Sequence, residues 1–232
     1  MSKFKFQMIE MKVSEGLAYW IGVAQSDGSI QLYRNKMKKN TSISINFQIG
    51  ESSLPMLIKF KALSKKLFNL DAKIIRLKSR KAWQYRIGVK KLLKLLKELD
   101  IRIKDPPNPP KWIISNSKFF GAYLAGLIDG DGDVRVKRKK YPQCVIRISG
   151  NKKQTKLSKT IRKKLKCSTR ITRRHSKRYS KKLKRTIEGR WFELEFVVSN
   201  KNYNFIKDCI LPFIQLDYKK NKILCYINSK SY

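Results

Sequence analysis

Residues 124–132 read Leu-Ala-Gly-Leu-Ile-Asp-Gly-Asp-Gly, an apolar run that ends in two carboxylates interleaved with glycines. Ala122, Gly126 and Gly130 are spaced four apart, so on a helix they form one smooth stripe. A stripe of small residues lets a second helix pack unusually close, as in small-xxx-small helix pairs. The stretch therefore predicts a helix with a small contact face and a charged C-terminal end.

A matching stripe occurs earlier in the chain, at Ala18, Gly22 and Ser26. Residues of this first segment recur in the second at a constant offset of 104 positions: Ala18, Tyr19, Gly22, Asp27 and Gly28 return as Ala122, Tyr123, Gly126, Asp131 and Gly132. The repetition indicates a duplicated chain. The two stripes predict a helix pair in contact through Ala18, Gly22, Ala122 and Gly126.

Asp27 and Asp131 each lie at the predicted C-terminal end of one of these helices, directly before a glycine suited to a C-cap. A carboxylate is unfavourable there because the helix dipole is negative at that end. Packing the helices would also bring the two carboxylates together. A divalent cation with oxygen ligands compensates for both effects. The alternative is a pair of ordinary Asp-Gly turns, which does not explain why both lie behind matching stripes.

The second segment resembles the signature of the LAGLIDADG homing endonucleases, with Gly130 at the variable seventh position. The first segment, from Trp20 to Gly28, resembles a divergent copy. Two copies in one chain are typical of the single-chain members, in which each half replaces one subunit of a homodimer. Gln25 departs from the pattern, since the second copy has Asp129 there. The eighth position, which holds the metal in the family, is acidic in both copies.

The resemblance implies an endonuclease that makes a metal-dependent double-strand break with 3′ overhangs at a long asymmetric DNA site. Asp27 and Asp131 would each serve one strand. Mg²⁺, or Mn²⁺, would be the cofactor, with Ca²⁺ as a non-catalytic substitute, and the carbonyls of Ser26 and Gly130 would add metal ligands. The remaining catalytic candidates are Glu51, Lys104 and Lys219. Gly150 or Asn151 occupies the place of Glu51 in the second half, and ordinary surface charge is the alternative for both lysines.

The net charge of +39 on 232 residues calls for a polyanionic partner. Basic residues are interspersed with regularly spaced apolar ones, which favours a folded nucleic-acid-binding protein over a disordered tail. The chain has one histidine and no Cys-x-x-Cys pair, so a two-histidine metal site is excluded and a zinc site is disfavoured.

The sequence predicts neither a membrane span nor a secretory signal. No apolar run reaches the length of a membrane span, and residues 1–11 have no signal-peptide core. The widely separated cysteines are typical of a reducing environment. We therefore expect an intracellular protein, from the cytoplasm of a prokaryote or from an organelle.

Each half reads as helix, hairpin, helix, hairpin, helix. This order matches the αββαββα repeat that the resemblance implies: an α+β fold of two such repeats with pseudo-twofold symmetry, in which two antiparallel sheets form a DNA-binding saddle around the central motif helices. The predicted divisions are an N-terminal half at 1–100, a Pro-rich extended linker at 101–117 and a C-terminal half at 118–232. A long basic insertion is expected between Arg170 and Arg190, inside the last hairpin.

The alternating strands predict an apolar face on each sheet, which includes Ile75 and Val136, and an open basic face that lies in the DNA major groove. Two such faces would read about 16 base pairs or more. The side chains predicted to contact DNA are Gln31, Tyr33, Asn35, Ser44, Asn46, Gln48, Arg76, Lys78, Gln84 and Arg86 in the first half, and Arg135, Lys137, Lys139, Gln143, Arg147, Arg170, Thr172 and Arg174 in the second.

Two other functions remain open at this point. One is an RNA maturase that assists splicing of its host intron, and the other is a non-catalytic DNA-binding regulator on the same fold. The retained pair of Asp27 and Asp131 favours a nuclease. We expect a monomer that binds double-stranded DNA and, if it assists splicing, host intron RNA.

Overall fold

The first half folds around helix α1 (Glu15–Ser26) in the computed structural model, which describes residues 13–35, 40–77, 81–103, 106–137, 140–180 and 184–230. Ser14 caps this helix, because its hydroxyl accepts a hydrogen bond from the Leu17 N–H at 3.2 Å. The other elements of this half are β1 (Ser29–Asn35), β2 (Asn40–Gly50), α2 (Leu54–Phe68), β3 (Ile74–Leu77), β4 (Ala82–Gly88) and α3 (Leu93–Glu98).

The second half repeats this order. Asn116 caps its first helix by accepting from the N–H groups of Lys118 and Phe119. The elements are α5 (Ser117–Asp129), β5 (Gly132–Lys137), β6 (Gln143–Gly150), α6 (Thr155–Leu165), β7 (Thr169–Ser180), β8 (Arg185–Val197), α7 (Tyr203–Phe205) with a following π-helical turn at Ile206–Ile210, and α8 (Asp217–Asn228).

The segment between the halves is not extended throughout, as the sequence predicts it to be. A short helix α4 (Lys111–Ser115) begins directly after Pro110. Proline restricts only the residues up to that point, so the following residues are free to turn into a helix.

The two sheets have the same topology, with strand orders β1-β2-β4-β3 and β5-β6-β8-β7, and every pairing is antiparallel. In corresponding places, Ile30 lies opposite Ile45 and Val134 opposite Ile146. The predicted duplicated α+β architecture is therefore confirmed.

Helices α1 and α5 pack against each other and are buried along almost their whole length. Their other neighbours are the apolar faces of the sheets and the outer helices. Trp20 of α1, for example, stacks on Phe60 of α2 with ring centroids 5.0 Å apart, and its indole N–H donates to the Ser64 hydroxyl at 2.8 Å. Fully burying side chains of this size contributes roughly 1.5–3 kcal/mol each, so the core fixes α1 from both sides.

The predicted insertion between Arg170 and Arg190 is wrong, because most of it is strand. The pairing of β7 with β8 continues to Ser180 opposite Arg185, whereas the matching hairpin of the first half ends at Leu77 opposite Ala82. We call residues 175–180 and 185–190 the hairpin extension. Opposite charges stabilise it across the strands: Glu188 lies opposite Lys177, with their charged atoms 3.3 Å apart.

Two residues predicted on the apolar faces are exposed: Ile75 by 55% and Val136 by 51%. Ile75 lies opposite Gln84, so it belongs to the open face, and Ile74 is the inward residue of that short strand. Val136 lies opposite buried Cys144, so it shares the inner face, but it is near the end of an edge strand where cover is thin.

Candidate active site and nucleic-acid interface

The central helices cross at Gly22 and Gly126. A Cβ atom added at Gly126 would lie 2.5 Å from the Tyr19 carbonyl oxygen and 3.1 Å from the Gly22 Cα, and one added at Gly22 would overlap the Tyr123 carbonyl. Neither position therefore has room for a side chain. The crossing brings the C-terminal ends of α1 and α5 together.

Gly28 and Gly132, which the sequence predicts as C-caps, have another role. No glycine in the described ranges has a positive φ, so the left-handed cap conformation is absent there. A Cβ atom at Gly28 would instead overlap the Ala24 carbonyl, and one at Gly132 would overlap the backbone of Ile128. These glycines let the chain turn sharply back over the last helical turn into β1 and β5.

Asp27 and Asp131 follow the last turns of α1 and α5, and both are partly exposed. The two helix ends are in contact, since a Cβ atom at Gly130 would lie 3.2 Å from Asp27 Oδ2 and would overlap the Ser26 side chain. Burial raises the pKa of Asp27, and the positive charge of Lys219 opposes this shift. The crossing therefore brings acidic side chains and the backbone oxygens of both helix ends to one partly buried region.

Lys219 of α8 is not a surface lysine, since it is only 4% exposed. Its ammonium group donates to the carbonyls of Ile128 at 2.6 Å and Asp129 at 2.8 Å, at the negative end of α5. Burial lowers the pKa of Lys219, and nearby carboxylates, with Asp129 the largest contributor, oppose the shift. The cation thus balances the acidic charge that the helix ends concentrate.

Two buried hydrogen bonds cross between the halves, and sequence reasoning missed both. The Tyr19 hydroxyl donates to Asp129 Oδ2 at 2.7 Å, and the Tyr123 hydroxyl donates to Gln25 Oε1 at 2.6 Å. Burial, reinforced by the Asp129 carboxylate, raises the pKa of Tyr19 well above its usual value. Both partners of each bond recur at the 104-residue offset, which is the signal that was available in the sequence.

The difference between Gln25 and Asp129 has a local reason. Asp129 accepts from the backbone N–H groups of Gln215 at 2.8 Å and Leu216 at 3.2 Å, so a carboxylate suits it. Gln25 must both donate, to the Arg102 carbonyl, and accept, from the Asn108 N–H at 3.3 Å. An amide can do both, whereas a carboxylate only accepts.

The remaining catalytic candidates are Glu51, its counterpart position in the second half, and Lys104. Glu51 lies just after β2, is exposed, and pairs with Arg76 at 2.7 Å. Lys104 lies outside the described residues, and Gly150 is the last residue of β6.

The open face of the first sheet carries several of the predicted DNA contacts. Arg86 donates to the buried Ser44 hydroxyl at 3.0 Å, and Asn46 lies 3.5 Å from the amide of Gln84. Gln31 and Gln48 are exposed there. Arg76, predicted to lie on the open face, is adjacent to Ile75 and opposite Trp83, so the register places it on the other face, where it is exposed on the edge strand with its guanidinium over the Trp83 ring. Lys78 lies outside the described residues, and for Tyr33 and Asn35 only the backbone in β1 is described.

The second sheet has a different open face, because two carboxylates of β8 lie in its centre. Glu195 is directly opposite Arg147, with their charged atoms 2.6 Å apart, and it also pairs with Lys137 at 3.2 Å. Glu193 pairs with Arg174 at 2.9 Å. Arg147, predicted to be an open DNA-contact residue, is consequently buried.

The remaining residues of this sheet that were predicted to contact DNA differ in their exposure. Arg170 is exposed and Thr172 and Gln143 are partly buried, while Arg135 pairs with Asp133 on the same strand. Lys139 lies outside the described residues. The sequence analysis did not consider Glu193 and Glu195, and only the strand register brings them to Arg147.

Other features bear on the site's chemistry. Within the described ranges, no three His, Cys, Asp or Glu side chains converge as a metal-binding group, and no helix is long and apolar enough to cross a membrane. All four cysteines are free: Cys144, Cys167 and Cys209 are buried and Cys225 is exposed.

The paired sheets and the central helix crossing define the single-chain, two-motif LAGLIDADG homing endonuclease fold, and this chain has that fold. No protein-family model and no curated protein matches the chain. Solved structures do match it over most of its length.

Three of these structures serve as examples. I-DmoI in complex with DNA and Ca is 18% identical, with a TM-score of 0.52 over 84% of this chain and 89% of that chain. I-DmoI with DNA and Mn is 18% identical, with a TM-score of 0.52 over 86% and 98%. The I-LtrWI LAGLIDADG homing endonuclease bound to target DNA is 15% identical, with a TM-score of 0.51 over 94% and 91%.

Proposed function

We propose that this protein is a site-specific, divalent-metal-dependent DNA endonuclease. The observation that carries the proposal is the contact between the C-terminal ends of two tightly crossed helices, where Asp27 Oδ2 lies close to Gly130, the residue before Asp131, between two sheets with polar open faces. Two equivalent carboxylates fit a reaction in which each strand of a duplex is cut once. The net charge of +39 supplies the attraction for the phosphate backbone.

The donor atoms at the helix ends fit a hard divalent cation. The carboxylates of Asp27 and Asp131, with the carbonyl oxygens of Ser26 and Gly130, are the oxygen ligands that Mg²⁺ and Mn²⁺ prefer. When bound, such an ion activates water and stabilises the leaving oxygen of a phosphodiester. The ligands must be deprotonated to bind it, and the charge of Lys219, which opposes the raised pKa of Asp27, favours that state.

The chain's own residues would orient the DNA for this reaction. Exposed polar groups on the open faces, such as Gln31, Gln48 and Arg170, are suited to base edges or phosphates in the major groove. Because the faces of the two sheets differ, with carboxylates only in the centre of the second, the preferred site is asymmetric.

Further details of the proposal come from the resemblance to the LAGLIDADG homing endonucleases. They are a monomer acting on double-stranded DNA, Mg²⁺ as the working ion with Ca²⁺ as a non-catalytic substitute, 3′ overhangs, and a role in intron homing. Glu51, Lys104 and Lys219 are proposed to assist, Lys219 by balancing charge at the helix ends. The division at 1–100, 101–117 and 118–232 is retained as a proposal as well.

The test is selection of cleaved sites from a randomised duplex library in Mg²⁺, followed by Asp27→Asn and Asp131→Asn on the selected site. We expect each variant to bind DNA as the wild type does and to lose double-strand cleavage. Asp71→Asn is the matched control, since this exposed carboxylate pairs with Lys61 and Lys65 away from the helix ends. Full linearisation of the target by Asp131→Asn at the wild-type rate would falsify the assignment.

The same experiment separates the alternatives. Tight, sequence-specific binding without cleavage by the wild type would identify a DNA-binding regulator. Preference for a structured intron RNA over any duplex in competition would identify a maturase.

A further inference from the structure

The two crossed hydrogen bonds connect each half to the catalytic end of the other. Tyr19 lies on α1, but its hydroxyl holds Asp129, which lies two residues before Asp131. Tyr123 lies on α5, but its hydroxyl holds Gln25, two residues before Asp27. All four side chains are almost completely buried, so water does not replace these bonds.

Each acceptor is also anchored to the backbone of a neighbouring segment, Asp129 within its own half and Gln25 at the linker. Asp129 receives the backbone N–H groups of Gln215 and Leu216, just before the helix that carries Lys219. Gln25 binds the backbone at Arg102 and Asn108. Each tyrosine therefore reaches across the helix crossing. It binds the residue that connects the motif helix of the other half to a neighbouring backbone segment.

The close crossing makes this reach possible. The Tyr19 carbonyl lies against Gly126 and the Tyr123 carbonyl against Gly22, so each tyrosine is held at the contact point itself. A buried hydrogen bond at such a point restrains the direction in which the last helical turn, and the carboxylate after it, can point.

We propose that Tyr19 and Tyr123 are positioning residues that act crosswise, Tyr19 on Asp131 and Tyr123 on Asp27. The inference rests on the proposed nuclease function, in which each carboxylate serves one strand. Its consequence is that a change made in one half impairs the reaction of the other half.

The variants Tyr19→Phe and Tyr123→Phe remove only the two hydroxyl groups and keep the buried rings. The assay uses a target duplex with a different fluorophore on each strand, so the nicking rate of each strand is measured separately in Mg²⁺. We expect Tyr19→Phe to slow one strand about tenfold and Tyr123→Phe to slow the other by a similar factor, since small displacements of catalytic groups cost rates of this order. The strand slowed by Tyr19→Phe should be the one that Asp131→Asn affects more.

Tyr85→Phe is the matched control, because it removes a buried hydroxyl in the core of the first half, away from the crossing. It should leave the ratio of the two strand rates unchanged. DNA affinity in Ca²⁺ should be unchanged for all three variants, because their side chains do not lie on the open faces.

Opposite strand biases in the two variants support the inference, and a general loss of stability cannot produce them. Equal slowing of both strands, no slowing, or a bias of Tyr19→Phe toward the strand of Asp27 would each overturn it. Failure of the nuclease proposal looks different: in that case both Asn variants cleave as the wild type does, or no variant and no wild type cleaves any duplex.

Discussion

Replacing Gly126 by alanine tests the helix crossing on which the site depends. The added methyl group would lie 2.5 Å from the Tyr19 carbonyl oxygen and 2.9 Å from the Val23 nitrogen. The first distance is about 1 Å inside ordinary van der Waals contact, and both neighbours are backbone atoms that cannot rotate away. The two helices must therefore move apart.

Overpacking of this kind costs about 1–3 kcal/mol of the free energy of unfolding. For a protein of this size, that corresponds to a fall in melting temperature of about 2–12 °C. Helix propensity acts in the opposite direction, since alanine is favoured over glycine in a helix by about 1 kcal/mol. The expected net loss is therefore about 0–2 kcal/mol, a fall in melting temperature of up to about 8 °C, and any net loss indicates the steric clash.

Thermal and urea unfolding followed by circular dichroism measure the effect. Gly88→Ala is the control, because a Cβ atom there would have no heavy atom within 4 Å. The double variant Gly22→Ala with Gly126→Ala should lose less stability than the sum of the single losses, since one displacement makes room for both methyl groups. A higher melting temperature for Gly126→Ala would show that the helices do not cross there.

Two further predictions concern the surface charge and the cysteines. DNA affinity should fall steeply with salt, because binding releases counterions from the phosphates that the basic faces neutralise; titration of a specific duplex at several salt concentrations gives the slope, and a flat response would exclude a nucleic-acid partner. Burial raises the pKa of Cys144 to about 12, so below that pH the thiol stays protonated and unreactive. Iodoacetamide at pH 8 should therefore label exposed Cys225 in the folded protein and leave Cys144 unmodified, as peptide mass spectrometry can establish; rapid labelling of Cys144 without denaturant would contradict its burial.

Most of the fold could be predicted from the repeated motif. Small residues four apart favour a close helix contact, and their recurrence at one offset indicates the duplication, so the architecture could be predicted from local pattern. The crossed bonds of Tyr19 and Tyr123 did not follow, because each joins residues about 100 positions apart and depends on how the helices are rotated about their axes.

Strand register explains the other differences. The alternation of β8 places Glu193 and Glu195 on one face, but only their pairing partners decide that they neutralise Arg147 and Arg174. The dense positive charge of residues 170–190 suggested a loop, whereas cross-strand pairs such as Glu188 with Lys177 allow a strand. These cross-strand pairings cannot be predicted from local amino-acid composition.

The hairpin extension should tolerate amino-acid substitutions better than the helix crossing does. Most of its side chains are exposed, so few of them pack against a core, and substitutions at exposed positions of this kind usually alter stability by less than about 0.5 kcal/mol. Gly22 and Gly126 have no comparable freedom, since any side chain there meets backbone. Substitutions can therefore accumulate in the hairpin extension while Gly22 and Gly126 stay unchanged.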